Sequence, residues 1–238
     1  MQNPQPFNQS NPFDTSSNFV PVSQSSGEVR LEFLRKTYAL FFAGIICCLL
    51  AGAATLRVPG LFNISASLSP LIAIVLIIGL SVGAQAVSRI EGLNYAALFA
   101  FTGVLGFLFA PMLAFYDLRQ PGIVTQAAAL TTITFGALTA YVFVSKKDFS
   151  FMGGMLFVGL IGLIVGGFAN AFFFRSPVAS YFMAWFTLLI FSGYVLYDTS
   201  AIMRRYDSRS YCSAALSLFL DFFNMFLAIL RILSGSRR

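Results

Sequence analysis

From residue 38 onward the chain alternates between long apolar runs and short polar breaks. Seven runs stand out, over 38–56, 68–87, 93–115, 123–145, 149–172, 178–203 and 211–233. A helix of roughly 20 apolar residues crosses the hydrocarbon of a bilayer, so each run predicts one membrane span. The runs are continuous and do not alternate in ten-residue segments, which argues against a membrane β-barrel. The breaks carry turn residues and charges: Val58-Pro59-Gly60, Glu91-Gly92, Asp117 to Gly122, Lys146-Lys147-Asp148 and Arg175-Ser176-Pro177. None has room for a separate domain. The pattern predicts an all-α integral membrane protein, a seven-transmembrane-helix bundle.

Residues 1–29 have a different character. They are rich in Asn, Gln, Ser and Pro with isolated Phe7, Phe13 and Phe19, too little apolar surface to drive folding. The expected organisation is a disordered polar tail over 1–29 and one transmembrane domain over 30–238. The tail has no basic start, apolar core and small-residue cleavage site in sequence, so it is not a secretory signal. The Asn11-Pro12-Phe13 triplet is short enough to be chance.

Composition agrees. Hydrophobic residues make up 58% of the chain and charged residues 10%, where a soluble domain carries about 25% charged residues. The net charge of +6 is spread over tail and loops; it reads as a topology signal and not as a nucleic-acid surface. With the N-terminus inside, the inner segments hold Arg30, Arg35, Lys36, Arg89, Lys146, Lys147, Arg204, Arg205 and Arg209. Three cations precede the first span and one follows it, which favours a cytoplasmic N-terminus. The basic stretch Ser234–Arg238 would also prefer the inside, and a re-entrant last span would satisfy it. Short loops and the lack of a eukaryotic targeting signal point to a bacterial inner membrane.

Several chemistries drop out. The chain has no histidine, so His-based zinc sites, Ser-His-Asp and Cys-His catalysis and imidazole relays are excluded. Cys47, Cys48 and Cys212 form no CxxC pair and suggest neither a disulfide framework nor a metal site. Gly79-xxx-Gly83 and Gly162-xxx-Gly166 predict close helix approach. The 28 phenylalanines are expected as lipid-facing surface and core mass.

Two carboxylates break the apolar pattern. Asp198 lies in FTLLIFSGYVLYDTSAIM and Asp221 in AALSLFLDFFNMFLAILRIL. An acid at the centre of a membrane helix costs roughly 2.5–3.5 kcal/mol on insertion scales and persists mainly where function needs it. The short loop Arg204 to Ser210 makes the two spans antiparallel neighbours. At 1.5 Å per residue, Asp198 lies about 9 Å and Asp221 about 15 Å from that loop, within reach of a common depth. Two close carboxylates in a low dielectric cannot both ionise cheaply, so the pair shares a proton or recruits arginine or a divalent cation. Asp221, Asn224 and Ala228 at i, i+3 and i+7 form a polar-to-small stripe that should face the bundle, burying the last helix. Tyr197 and Asn224 are supporting neighbours.

Around these residues the chain resembles the Bax inhibitor (transmembrane Bax inhibitor motif) family. SGYVLYDTSAI and the last span are similar to the family's two closing helices, each with its aspartate, and KKDFSFMGGMLFVGLIGLIVGG is similar to the bacterial-type members. The resemblance covers about residues 30–238. It implies a seven-helix bundle with the last helix central, and a pH-sensitive calcium leak channel gated by Asp198 and Asp221 as the pH-sensing, ion-binding pair. It also implies a latch arginine at the inner end of the second span, where Arg89 is the candidate. No obligatory cofactor is expected. Calcium is the candidate ion on Asp198 and Asp221, with waters and backbone carbonyls completing its six to eight oxygen ligands.

Other readings compete. An intramembrane aspartyl protease also uses two aspartates, and Tyr197-Asp198 fits it. Its second motif, Gly-x-Gly-Asp, is replaced by Leu218-Phe219-Leu220-Asp221, so no enzyme is expected. A proton-coupled transporter and a non-conducting regulator of a membrane protease or channel remain as alternatives. The expected partners are the lipid bilayer, calcium and protons, and in the regulator reading another membrane protein. Asp148 is expected to be a solvated loop residue without a part in pH sensing.

Overall fold

The computed structural model describes residues 21–88, 90 and 92–236. Helix α1 runs Gly27–Arg57, with the Ser26 hydroxyl accepting from the Val29 N–H and Glu28 in the first turn. Both features suit the positive end of a helix. It therefore begins eleven residues before the apolar run that marks it. Residues 1–20 of the expected tail lie outside the described residues. Val22–Gln24 form a single 3₁₀ turn, and Val22 is fully buried.

Residues 59–67, expected to be part of a loop, are helix α2 (Pro59–Ser67); it meets α3 (Pro70–Ala86) at a 98° bend. Each starts with proline at the first helical position, where the missing N–H costs nothing and φ is preset. Helix α3 has 17 residues and spans about 26 Å, slightly short of the ~30 Å core. Its outward side chains, among them Leu71, Val75, Ile78 and Val82, are exposed in the isolated chain, as a lipid-facing helix requires.

Next come α4 (Leu93–Arg119), α5 (Ile123–Ser145), α6 (Gly153–Ala169), α7 (Pro177–Arg204) and α8 (Tyr211–Ser236). A 3₁₀ turn leads into α6 and a π turn ends it, so residues 150–174 form one continuous helical span. Six helices are long and apolar enough to cross a membrane, and the bent α2–α3 pair raises the count to seven if it acts as one span. The described residues contain no strand, only an isolated bridge between Pro21 and Asp207. Helix α8 is unbroken over 26 residues; at about 39 Å it crosses rather than re-enters. The sharp break among the apolar helices falls between α2 and α3.

Helix α8 is also the most enclosed: 61% of its most apolar stretch is buried, against 6–33% in the other five long spans. It packs on α1, α4, α5 and α7. Phenylalanines make much of that contact. Phe219 and Phe223 stack 5.9 Å apart, with Phe101 edge-on to the first and Phe109 edge-on to the second. On the other side Phe41 and Phe135 stack at 5.1 Å and both meet Phe222 edge-on. Such pairs contribute about 0.5–1.5 kcal/mol each beyond area burial.

Close helix approach occurs elsewhere than at the predicted small-residue pairs. A Cβ on Gly79, Gly83 or Gly162 would meet nothing within 4 Å, and one on Gly166 only the Met183 methyl at 3.5 Å. The tight crossing is α1 on α4, where a Cβ on Gly106 would lie 2.0 Å from the Cys48 carbonyl oxygen. Gly79, Gly83 and Gly162 therefore face open space, and the α6 glycine pressed hardest on α7 is Gly159, whose Cβ would come within 2.4 Å of Ile190.

Candidate functional site: a carboxyl pair behind a surface cavity

Helix α7 ends six residues after Asp198 and α8 begins ten residues before Asp221. A tight turn joins them. The Arg205 and Tyr206 N–H groups both donate to the Ala201 carbonyl, and the Ser210 N–H donates to the Asp207 carbonyl at 2.8 Å. The Tyr206 hydroxyl reaches across to Ser217 Oγ at 3.1 Å, one helical turn before Asp221. The turn is therefore fastened to α8 by a side chain as well as by the backbone.

That pairing brings the side chains of Asp198 and Asp221 within hydrogen-bonding reach of each other. Two ionised carboxylates are acceptors only, so a bond between them requires one proton. Asp221 is 3% exposed, and its Oδ2 has no hydrogen-bond partner from the protein. Asp198 is partly exposed and lines a cavity of about 490 Å³. Asp221 does not line it and sits behind Asp198. The cavity is walled by Gln85 and Ser88 at the end of α3, Tyr206, Asp207 and Ser210 of the turn, and Ser213 of α8. Asp198 is thus the member of the pair that faces the cavity.

Tyr197 supports the site from beside the pair. Its ring lies against Gly153 at the start of α6, where a Cβ would come within 2.9 Å. The Arg205 guanidinium covers the ring 4.7 Å from its centroid. Arg205 lines the cavity and acts electrostatically on Asp198. It entered the sequence reading only as an orientation cation, although i+7 spacing from Asp198 puts both on one helix face. Asn224 Nδ2 donates to the Leu220 carbonyl of its own helix at 2.8 Å. Arg89 lies outside the described residues. Its neighbour Ser88 donates to the Gln85 carbonyl, and Gln85 Oε1 accepts from Ser213 Oγ at 2.7 Å, tying the end of α3 to α8.

Asp148 is exposed but not free. Its Oδ1 accepts from the Ser150 N–H at 2.9 Å and from Ser200 Oγ at 3.4 Å. The Ser150 N–H above all holds its carboxyl below the usual range, so Asp148 stays charged near neutral pH. Ser200 is buried two residues beyond Asp198, which makes Asp117, at the far end of α4 and bonded to the Gly122 N–H, the cleaner neutral control. No cluster of three or more His, Cys, Asp or Glu side chains occurs among the described residues. A calcium ion, with its six to eight oxygen ligands, would need water and carbonyl oxygens beside this pair.

A family model described as "Inhibitor of apoptosis-promoting Bax1" matches residues 30–238. The chain is 34% identical over 227 residues to "Bax inhibitor 1" of Schizosaccharomyces pombe, covering 92% of this chain and 82% of that one. It is 37% identical over 209 residues to a membrane protein of Vibrio cholerae, covering 85% and 88%. It is 33% identical over 216 residues to "Protein lifeguard 4" of Mus musculus, covering 90% and 89%. The matched region holds α2 to α8, all but the first turn of α1, and both aspartates, and the chain is a multi-pass membrane protein of the Bax inhibitor family.

Proposed function

We propose that the protein is a pH-sensitive calcium leak channel in which Asp198 and Asp221 sense pH and bind the ion. It is a seven-span bundle around a central α8, it has no catalytic step, and its N-terminus is on the cytoplasmic side of a bacterial inner membrane. The observation that carries this reading is a buried carboxyl, Asp221, with an oxygen unpartnered by the protein, in hydrogen-bonding reach of Asp198 at the wall of an open cavity. An acid so placed in a membrane helix is functional by default. With one shared proton the pair holds a single negative charge and a direct hydrogen bond. Loss of that proton leaves two charges that repel unless a cation sits between them. Calcium delivered through the cavity is such a cation, so proton and calcium compete for the same oxygens.

The test is passive calcium influx into proteoliposomes of the purified protein across pH. A pH-dependent influx supports the proposal. Tight liposomes with no influx would overturn it and leave the non-conducting regulator, the reading to which the name of the fission-yeast relative points. Arg205 provides a second check. It places a positive charge in the cavity wall, and an exposed charge of this kind is worth about 0.2–1 kcal/mol. Arg205→Gln should therefore raise influx by about 1.5- to 5-fold. A fall in influx would mean that the arginine serves mainly to hold Tyr197.

A further inference from the structure

The segment before α1 is fastened to the wall of the cavity. The Val22 N–H donates to the Tyr206 carbonyl at 2.9 Å, and Pro21 forms an antiparallel bridge with Asp207. The Val22 side chain is fully buried in the same core cluster as Phe33 of α1. Tyr206 and Asp207 are cavity residues, and the Tyr206 ring packs on Phe33 at 6.4 Å. From Tyr206 the connection continues through Ser217 to the turn of α8 that carries Asp221. A polar segment that spends a buried valine and a backbone bond on a loop is holding that loop.

We propose that Pro21–Ser26 is an intramolecular strap that restrains the α7–α8 turn where that turn walls the Asp198 cavity. Its release frees Tyr206 and Asp207, loosens the Tyr206–Ser217 contact and lets the cavity wall beside the carboxyl pair move. The strap is a point of control separate from protonation, since its contacts are a backbone bond and a valine that do not titrate. Whatever displaces or removes the N-terminal segment would raise the leak at constant pH. The functional consequence rests on the conducting reading; the structural one does not.

Two variants of the protein in nanodiscs test it. Val22→Asp forces a charge into a fully buried site, and deletion of residues 2–24 removes the strap while keeping the Ser26 cap of α1. Amide exchange of the 205–210 turn is compared with exchange in α5, and calcium influx is measured in proteoliposomes. Released strap contacts, about one buried valine, should speed exchange of the turn roughly tenfold with α5 unchanged, and influx at fixed pH should rise. Should Val22→Asp fail to fold, the deletion alone decides. Unchanged exchange in the turn would overturn the strap whatever the influx does. Faster exchange with unchanged influx in a conducting wild type would overturn its control of the site. Faster exchange with no influx even in the wild type would uphold the strap as a structural clamp and overturn the channel reading instead.

Discussion

Asp221→Asn is expected to flatten the pH response of calcium influx and to hold it near the wild-type level at low pH. The substitution is close to isosteric, so the packing of Phe219 and Phe223 on either side of the site is kept. An amide also presents an N–H donor to Asp198, as a protonated carboxyl does. The variant therefore mimics the proton-sharing pair and cannot leave it. The second negative charge that would hold a calcium ion between the two side chains is absent at every pH. Asp117→Asn, at the opposite end of the bundle, should keep the wild-type profile. The measurement is influx into proteoliposomes from acid to alkaline pH for wild type and both variants. A full pH response in Asp221→Asn would remove the aspartate pair as the sensor.

The aspartates were legible because they interrupt apolar runs, and a membrane makes every interruption expensive. The same logic gave the long spans, whose ends fall within a few residues of α4, α5, α7 and α8. It failed at α2. PGLFNISAS looks like a loop, with Pro-Gly at its start and Asn63, Ser65 and Ser67 among its apolar residues. The prolines at 59 and 70 nevertheless fit the first turn of a helix, and Ser65 spends its hydroxyl on the Phe107 carbonyl of α4. Amphipathic pieces that are not fully apolar escape a search for spans.

Contacts between helices were less legible than the helices. Arg205 and Asp198 share a face by spacing alone, but only the fold shows that Tyr197 and Gly153 fix the arginine over the cavity. Val22 sits in a polar stretch whose composition predicts no core, and it is buried by a loop nearly two hundred residues later. A glycine's role depends likewise on what stands opposite. The small-residue spacing in α3 and α6 is the same signal that marks a tight crossing elsewhere, yet Gly79, Gly83 and Gly162 meet nothing and Gly166 meets only the Met183 methyl. Gly106, without a partner four residues away that drew notice, is the one pressed against backbone.

Gly106→Ala is therefore expected to destabilise the protein substantially, and Gly79→Ala to leave it unchanged or slightly more stable. The new Cβ would lie 2.0 Å from the Cys48 oxygen, 2.9 Å from its carbonyl carbon and 3.1 Å from its Cα. All three are backbone atoms of α1, so no rotamer change relieves the contact. Helices α1 and α4 must separate by on the order of 1 Å to reach the ~3.3–3.6 Å of an ordinary carbon–oxygen contact. That movement also disturbs Phe101 and Leu105 on the same face of α4, both fully buried, and with Phe101 its edge contact to Phe219. Overpacking of this kind costs about 1–3 kcal/mol and more where backbone must shift. At Gly79 nothing lies within 4 Å, and alanine gains up to about 1 kcal/mol of helix propensity over glycine. Thermal unfolding of the two variants in one detergent separates these cases. Equal midpoints for both would mean that α1 and α4 do not cross as closely as Gly106 and Cys48 require.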